Sequence, residues 1–300
     1  MKTVLVAGGS GFIGSQFCRK AQDIGLQPVV LSRNSSVAAT TLPATVKIIE
    51  NLNQLGGKPI DILVNLTGEP IADKRWSKKR KLQIVESRIN TTQGLYDFFK
   101  SQGRAPQTVI SGSAIGYYGG GTANNQKVTE NGAIEQNFSH NLCSAWEQTA
   151  QQFEALGSRV CLLRTGIVLG PQGALKKLLP VFKFGLGGPI ASGQQWMSWV
   201  HLDDMVDIII YCIQHVNLRG AVNATAPKPV TNREFAKILG GVLNRPAIAP
   251  MPAAIVKLIF GQMGKELMLD GQRVIPDKLH QQGFKFKYSE LQAALIQILT

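Results

Sequence analysis

The sequence predicts an α/β fold, a doubly wound parallel sheet with helices on both faces and a smaller C-terminal lobe. Three observations carry that expectation. Short β-branched runs recur through the first half without strict polar alternation, which is how strands buried on both faces read. Helical stretches separate them, giving the strand–helix alternation of a parallel sheet with crossover helices. The first run ends in a glycine-rich turn that opens the first helix.

The strand candidates are Thr3–Ala7, Pro28–Ser32, Val46–Ile49, Asp61–Asn65, Gln107–Ser111 and Arg159–Arg164. Helices are expected between them at about Phe12–Ile24, Lys78–Ser101 and Leu142–Leu156. After Arg164 the pattern loosens into Gly- and Pro-containing segments. A helix is expected there over Asp203–Gln214, a short strand over Ala221–Ala224 and helices over Asn232–Leu243 and Ala253–Phe260. The expected division is a nucleotide-binding domain over 1–165, to whose sheet the strand at 221–224 returns, and a substrate lobe over 166–300. No repeat, low-complexity tract or flexible linker interrupts the chain, so the boundary reads as a hinge between packed lobes.

Hydrophobic residues make up 44% of the 300 and charged residues 17%, a globular rather than a disordered composition. No apolar run reaches the roughly 20 residues of a membrane span, and no membrane partner is expected. The opening MKTVLVAGG breaks into glycines after Ala7, so it reads as a first strand rather than a signal peptide, and the expected location is cytoplasmic. Cys18, Cys143, Cys161 and Cys212 lie far apart, with no C-x-x-C pair and no histidine at zinc spacing. They read as reduced buried thiols, and no metal is expected. The net charge of +13 favours anionic partners, which include phosphorylated cofactors, nucleotide-sugars, nucleic acid and acidic lipid.

The strongest local signal is Val4-Leu-Val-Ala-Gly8-Gly9-Ser10-Gly11-Phe-Ile-Gly14, a strand followed by G-x-x-G-x-x-G at the start of a helix. This is the Rossmann arrangement for a dinucleotide: Gly8 permits the tight turn, Gly11 admits the pyrophosphate to the backbone, and Gly14 lets helix and strand pack closely. The phosphates would meet the free N–H groups of the helix N-terminus. At the end of the second strand, where an NAD-binding fold carries an acidic residue for the ribose 2′-hydroxyl, stand Leu31-Ser32-Arg33-Asn34. Arg33 suits a 2′-phosphate, Ser32 adds a donor, and no Asp or Glu is close by in sequence. The cofactor expected is NADP(H); the competing reading makes Arg33 a solvated loop cation.

With these glycines come Asn65-Leu-Thr-Gly-Glu-Pro70, Arg164-Thr-Gly-Ile-Val-Leu-Gly170, Trp199-Val-His-Leu-Asp-Asp204 and Ala221-Val-Asn-Ala. Together they resemble the extended short-chain dehydrogenase/reductases, which include nucleotide-sugar epimerases and dehydratases. More narrowly, Gly68-Glu-Pro-Ile-Ala-Asp-Lys-Arg-Trp76, Ser113-Ala-Ile-Gly-Tyr-Tyr-Gly119, Gly185-Leu-Gly-Gly-Pro-Ile190 and Gln195-Trp-Met-Ser-Trp-Val-His201 resemble the bacterial "epimerase family" proteins. Relatives of these include a mammalian NADP-binding member and a plastid-division member. The segment from about Met251 to Leu295 resembles the small conserved C-terminal domain of that subfamily.

The resemblance implies that Gly8, Ser10, Gly11, Phe12, Ile13 and Gly14 meet the pyrophosphate, and that Ser32 and Arg33 meet the adenosine phosphate. It puts Leu66, Thr67, Gly68 and Glu69 along the adenine-to-ribose path, Arg88 at a further nucleotide contact and Val168 near the nicotinamide. Thr67 stands where relatives more often have alanine.

A short-chain dehydrogenase moves its substrate proton through a tyrosine whose pKa is lowered by a lysine four residues on, with a serine or threonine polarising the carbonyl. Ser113 fits the polarising role. Aligned from Glu147, however, the tyrosine falls on Ser139 and the lysine on Cys143, so the Tyr-x-x-x-Lys pair is absent. Tyr117 or Tyr118 can stand in as proton donor with His201 or Glu147 as base, or the tyrosines can be pocket walls. His201 can equally be a helix cap, with Asp203 and Asp204 opening that helix. Trp196 and Trp199 form either a substrate wall or lobe packing.

The basic run Lys74-Arg-Trp-Ser-Lys-Lys-Arg-Lys81 reads as a solvated helix start; no nucleic-acid motif accompanies it, and nucleic acid is not the favoured partner. Two functions follow. One is an NADP(H)-binding epimerase/dehydratase-like oxidoreductase or isomerase acting on a small molecule such as a nucleotide-sugar. The other is a non-catalytic NADP(H)-binding sensor or regulatory protein linked to cell division.

Overall fold

A computed structural model describes residues 1–120 and 125–300. Its central sheet has seven parallel strands: β1 (Lys2–Ala7), β2 (Leu26–Leu31), β3 (Lys47–Ile49), β4 (Ile62–Asn65), β5 (Thr108–Ala114), β6 (Arg159–Thr165) and β7 (Gly220–Ala224). Their spatial order is β7-β6-β5-β4-β1-β2-β3. The chain winds outwards in both directions from the β1–β4 pair, which is the switch point where such sheets open a crevice beyond the strand C-termini.

The helices are α1 (Phe12–Asp23), α2 (Ser35–Ala39), α3 (Lys78–Ser101), α4 (Phe138–Gln151), α5 (Gly173–Lys183), α6 (Leu202–Gln214), α7 (Asn232–Val242), α8 (Ala253–Gly264), α9 (Asp277–Gln281) and α10 (Leu291–Leu299). Strand residues alternate between two apolar layers, which explains runs with no polar alternation. Val4, Val6, Val30, Val64 and Leu163 face α1 and α6. Leu5, Ala7, Val29, Leu63 and Leu162 face α3 and α4. Phe17 in the first layer and Phe153 in the second are fully enclosed, and each such side chain stabilises the fold by on the order of 2–3 kcal/mol.

Three further helices build a separate core, with Leu175 and Phe182 of α5, Phe235 and Leu239 of α7 and Leu291 and Leu295 of α10 packed around Trp199. Short strand pairs join it to the sheet domain: Ile167–Leu169 lies parallel to Trp199–His201, and Lys127–Val128 lies parallel to Arg273–Val274. No described helix is long and apolar enough to cross a membrane.

Four helices were not expected from the sequence, the five-residue α2 among them. α5 begins at Gly173, whose φ is +70°, and contains Pro180, both normally signs of a break. α9 has five residues and α10 nine, too few to separate a helical from an extended apolar run. α4 starts at Phe138, ahead of the expected Leu142, because the Asn137 side chain accepts from the His140 N–H at 2.8 Å and caps the helix there. Ser139 and Cys143 therefore lie in its first two turns.

Candidate functional site

The glycine loop after β1 is crowded. Gly8 has φ +82°, and a Cβ there would lie 2.8 Å from the Leu66 carbonyl carbon and oxygen, just past β4. A Cβ on Gly14 would lie 2.3 Å from the Gly8 carbonyl oxygen, so Gly14 allows α1 to start against the loop itself rather than against the strand. Gly11 is the residue before α1 and brings no capping side chain, and its N–H donates to Gly8 O at 3.1 Å. Among the described residues, the N–H groups of Phe12, Ile13 and Gly14 have no acceptor. Three outward donors at a helix N-terminus, behind a cradle that a side chain would fill, fit a dinucleotide pyrophosphate.

Arg33, just past β2, extends into solvent with its side chain 95% exposed. Ser32 Oγ is 3.1 Å from the Asn34 carbonyl oxygen, and Asn34 caps α2. One carboxylate approaches Arg33 itself and a second is bonded to Ser35 two residues on, contrary to the sequence expectation. Glu69 Oε1 is 3.5 Å from the Arg33 guanidinium. Glu50 accepts from the Ser35 hydroxyl at 2.7 Å and from its N–H at 3.1 Å, bonds that hold its carboxyl below the usual range. They arrive from the ends of β3 and β4, strands that the sheet sets on either side of the β1–β2 pair.

Glu69 is also 3.3 Å from Arg80. Beneath it, Arg88 donates to the Ile84 and Glu69 carbonyls, each at 3.1 Å, and lies 5.3 Å from the Trp146 ring centroid. Burial pushes the Arg88 pKa down. A Cβ on Gly68 would meet the Arg88 guanidinium carbon at 2.7 Å, so this glycine lets the backbone lie on the guanidinium. The Thr67 hydroxyl is already engaged, donating to Asn65 Oδ1 at 2.6 Å. Half-buried Val168 pairs with Val200 in the strand pair beyond β6.

At the ends of β5 and β6 lies a buried polar network. Ser113 Oγ donates to Glu147 Oε1 at 2.6 Å. Arg164 grips the same carboxylate with two bonds of 2.9 Å and donates at 3.1 Å to the Tyr118 hydroxyl and at 2.9 Å to the Glu130 carbonyl oxygen. Burial works against the Arg164 charge, but the Glu147 hydrogen bonds and charge outweigh it and raise its pKa. Tyr118 donates to Asn223 Oδ1 at 2.6 Å and is 2% exposed. Burial pushes its phenol up to about 12. The Tyr117 ring, half-buried, lies with its centroid 3.4 Å from the Arg164 guanidinium carbon.

His201 is not part of this network. Its Nδ1 accepts from the Asp203 N–H at 3.1 Å as the cap of α6, and its Nε2 is 2.8 Å from Gln297 of α10. Asp204 is buried and accepts from the Lys287 and Tyr288 N–H groups at 2.8 and 2.9 Å, with burial pushing its carboxyl up. The two tryptophans also separate: Trp199 fills the lobe core, whereas Trp196 stacks on Arg273 at 4.5 Å and lines a cavity of about 610 Å³ with Glu135, Gln195, Thr231, Lys265 and Asp270.

Where the tyrosine and lysine of the usual pair would stand, the N–H and hydroxyl of Ser139 both donate to Glu266 Oε2, at 3.0 and 2.7 Å. Cys143 is buried, and burial pushes its thiol up to about 12. Sequence reasoning missed Glu266, Glu130 and Asn223, which come from elements remote in sequence. The available signals were Arg164, a charged residue directly after the apolar stretch Val160–Leu163, and Asn223 within the Ala221-Val-Asn-Ala motif. No group of three or more metal-ligating side chains occurs among the described residues. In the basic run, Arg75 donates to the Leu258 carbonyl, Arg80 to the Pro70 carbonyl and Lys81 to Gln262, so it fastens the C-terminal segment as well as facing solvent.

Comparison with known proteins agrees with this geometry. Residues 4–224 match the model of the NAD dependent epimerase/dehydratase family, and residues 251–298 match a domain of unknown function, DUF1731. The Bacillus subtilis epimerase family protein YfhF is 34% identical over 303 residues, covering 99% of this chain and 97% of that protein. A crystal structure of human epimerase family protein SDR39U1 with NADPH superposes with a TM-score of 0.87 at 31% identity, covering 99% and 98% of the two chains. A Thermus thermophilus UDP-glucose 4-epimerase with NAD shares the fold at a TM-score of 0.78 and 18% identity, covering 99% and 97%. The crevice at the β1–β4 switch point, the glycine loop and the full-length likeness lead to one conclusion: the chain belongs to the NAD-dependent epimerase/dehydratase family.

Proposed function

We propose that this protein is an NADP(H)-dependent oxidoreductase or isomerase acting on a small molecule, with nucleotide-sugars the first class to assay. The observation that carries the reading is the buried Ser113–Glu147–Arg164 set, which puts a hydroxyl on a charge-neutralised carboxylate at the ends of β5 and β6. A buried polar cluster of this kind is costly unless fully bonded, and such clusters concentrate at reactive sites. The family relationship is to enzymes, which disfavours the sensor reading.

The residues offered for the cofactor are those of the loop and its surroundings. Gly8, Ser10, Gly11, Phe12, Ile13 and Gly14 would hold the pyrophosphate through the free N–H groups. Ser32 and Arg33 would take the 2′-phosphate, with Arg33 competing against its contact to Glu69. Leu66, Thr67, Gly68 and Glu69 would form the wall through backbone, because the Thr67 hydroxyl and the Arg88 guanidinium are already bonded within the protein. Val168 would face the nicotinamide. Preference for the phosphorylated cofactor is supported by exposed Arg33 and by the NADPH in the human relative.

When bound, the cofactor supplies or accepts hydride. Ser113 would polarise the substrate oxygen by turning its hydroxyl from Glu147 towards it, and Glu147, fixed by Arg164, would return the hydroxyl to that orientation. Tyr117 is the residue offered as proton donor, since its phenol is half-buried and lies against the guanidinium. Tyr118, fully bonded and raised to about 12, would hold Arg164, and His201 would hold α6. Cytoplasmic residence belongs to the same proposal and is supported by four free cysteines. The test is a panel of nucleotide-sugars and small carbonyls with NADPH, comparing wild type with Ser113→Ala. Turnover lost in the variant, with NADPH affinity kept, supports the reading; turnover unchanged in the variant overturns the role of Ser113.

A further inference from the structure

Two stretches of the C-terminal half contain no Asp or Glu: the residues between Glu154 and Asp203, and those between Glu234 and Glu266. The fold brings them together. The Ala249 N–H donates to Gly187 O at 3.1 Å, the Met251 N–H to Pro189 O at 3.0 Å and Arg245 Nε to Lys183 O at 3.0 Å. The segment after α5 therefore runs beside the segment leading into α8. Both helices are fastened to one loop: Lys177 of α5 donates to the Ala72 carbonyl at 3.1 Å, and Arg75 donates to the Leu258 carbonyl of α8 at 3.4 Å.

Of the fourteen exposed large apolar side chains among the described residues, seven lie on these two segments. Phe184 and Ile248 are each 82% exposed, Leu258 76% and Leu186 66%. α8 is apolar on both sides. Phe260 and Met263 turn towards Trp76 and Ile71 and Val256 is buried, while Ile255, Leu258 and Ile259 are exposed. Exposed Lys176, Lys183 and Lys257 stand among these side chains. Single exposed apolar residues are ordinary on a protein surface, but a concentration of them with a basic rim, on two segments that contain no acid, is not; the carboxylate of Asp73 in the fastening loop is paired with Lys177.

The charge selects the occupant. A second copy meeting this face symmetrically would bring two lysine rims together, and a nucleic acid would leave the phenyl and aliphatic groups in water. An anionic lipid surface offers acyl chains to the apolar groups and phosphates to the lysines. We propose that this face, built from the end of α5, the segment before α8 and the outer side of α8, seats on an anionic lipid bilayer. Phe184, Leu186, Ile248 and Leu258 enter the acyl boundary, and Lys176, Lys183 and Lys257 engage headgroup phosphates. The sequence expectation of no membrane partner rested on spanning segments alone. The inference stands apart from the cofactor reading, because none of these residues is assigned to it.

Vesicle flotation of the full chain tests this, with phosphatidylcholine alone and with phosphatidylcholine and phosphatidylglycerol in about equal parts. Wild type should float with the anionic vesicles and not with the neutral ones. Phe184→Ser with Leu258→Ser, and separately Lys176→Gln with Lys183→Gln and Lys257→Gln, should each lower the bound fraction about tenfold. All these side chains are exposed, so the variants should fold, and an unchanged NADPH titration checks that they do. Failure of wild type to float with anionic vesicles overturns the proposal, as does flotation of both variants at the wild-type level. A dimer that the serine variant abolishes, without vesicle binding by wild type, overturns it in favour of a second copy.

Discussion

Ser113 and Arg164 are register partners on adjacent strands and share one carboxylate: Ser113 Oγ and Arg164 Nε bond to the same oxygen of Glu147, at 2.6 and 2.9 Å. Both the chemistry and the stability of the site depend on that oxygen.

Glu147→Gln leaves the Arg164 guanidinium buried without its counter-charge. The expected cost is about 3–5 kcal/mol in urea unfolding, the range for breaking a buried ion pair by removing one partner. A loss below about 1 kcal/mol would mean that the pair contributes as little as an exposed one.

Tyr118 gives a pH dependence whose sign is fixed. Its phenol is raised by burial from 10.0 to about 12, so the fold favours the neutral form. That contribution is complete below pH 10 and is lost as pH rises towards 12, amounting to about 2–3 kcal/mol. Buried Cys18 and Cys143, also raised to about 12, add losses in the alkaline range, so the measurement is the difference between wild type and Tyr118→Phe. The variant should be less stable at neutral pH and should lose stability less steeply above pH 10. Parallel curves for the two proteins would count against the buried phenol.

Arg33 and Glu69 make opposite predictions from one contact of 3.5 Å. Arg33→Asp should weaken NADPH binding by about ten- to a hundredfold, the value of a charge-assisted phosphate contact, and leave NADH nearly unaffected. Glu69→Gln should tighten NADPH binding by a few fold, since it removes a carboxylate that competes for the guanidinium. Equal changes for both cofactors, read by fluorescence titration, would detach Arg33 from the 2′-phosphate.

Gly14→Ala is a test of the loop. A methyl group 2.3 Å from the Gly8 carbonyl oxygen cannot be accommodated without moving backbone. The expected result is NADPH binding weakened at least about tenfold and stability lowered by about 1–3 kcal/mol. Normal binding and stability would show that α1 can begin elsewhere.

The sheet was legible because its physics is local. Most strands are short apolar runs whose alternate residues feed two apolar layers, and Gly14 after β1 is demanded by a contact within the turn. The C-terminal lobe was legible only in part, since Gly173 and Pro180 masked α5 and shortness masked α10. For the site, Ser113, Tyr117, Tyr118 and Glu147 were nominated from sequence and do meet around Arg164. His201 was nominated with them and is held instead by α6 and α10. Glu50 on Ser35, Glu69 beside Arg33 and Glu266 on Ser139 arise from long-range approach, for which a single sequence gives no spacing signal.

The most direct measurement is titration of the purified protein with NADPH and with NADH. Both cofactors should bind saturably, NADPH more tightly, with Gly14→Ala impairing both and Arg33→Asp impairing NADPH alone. Absence of saturable binding of either cofactor at about millimolar concentration, which corresponds to only about 4 kcal/mol of binding free energy, would contradict it.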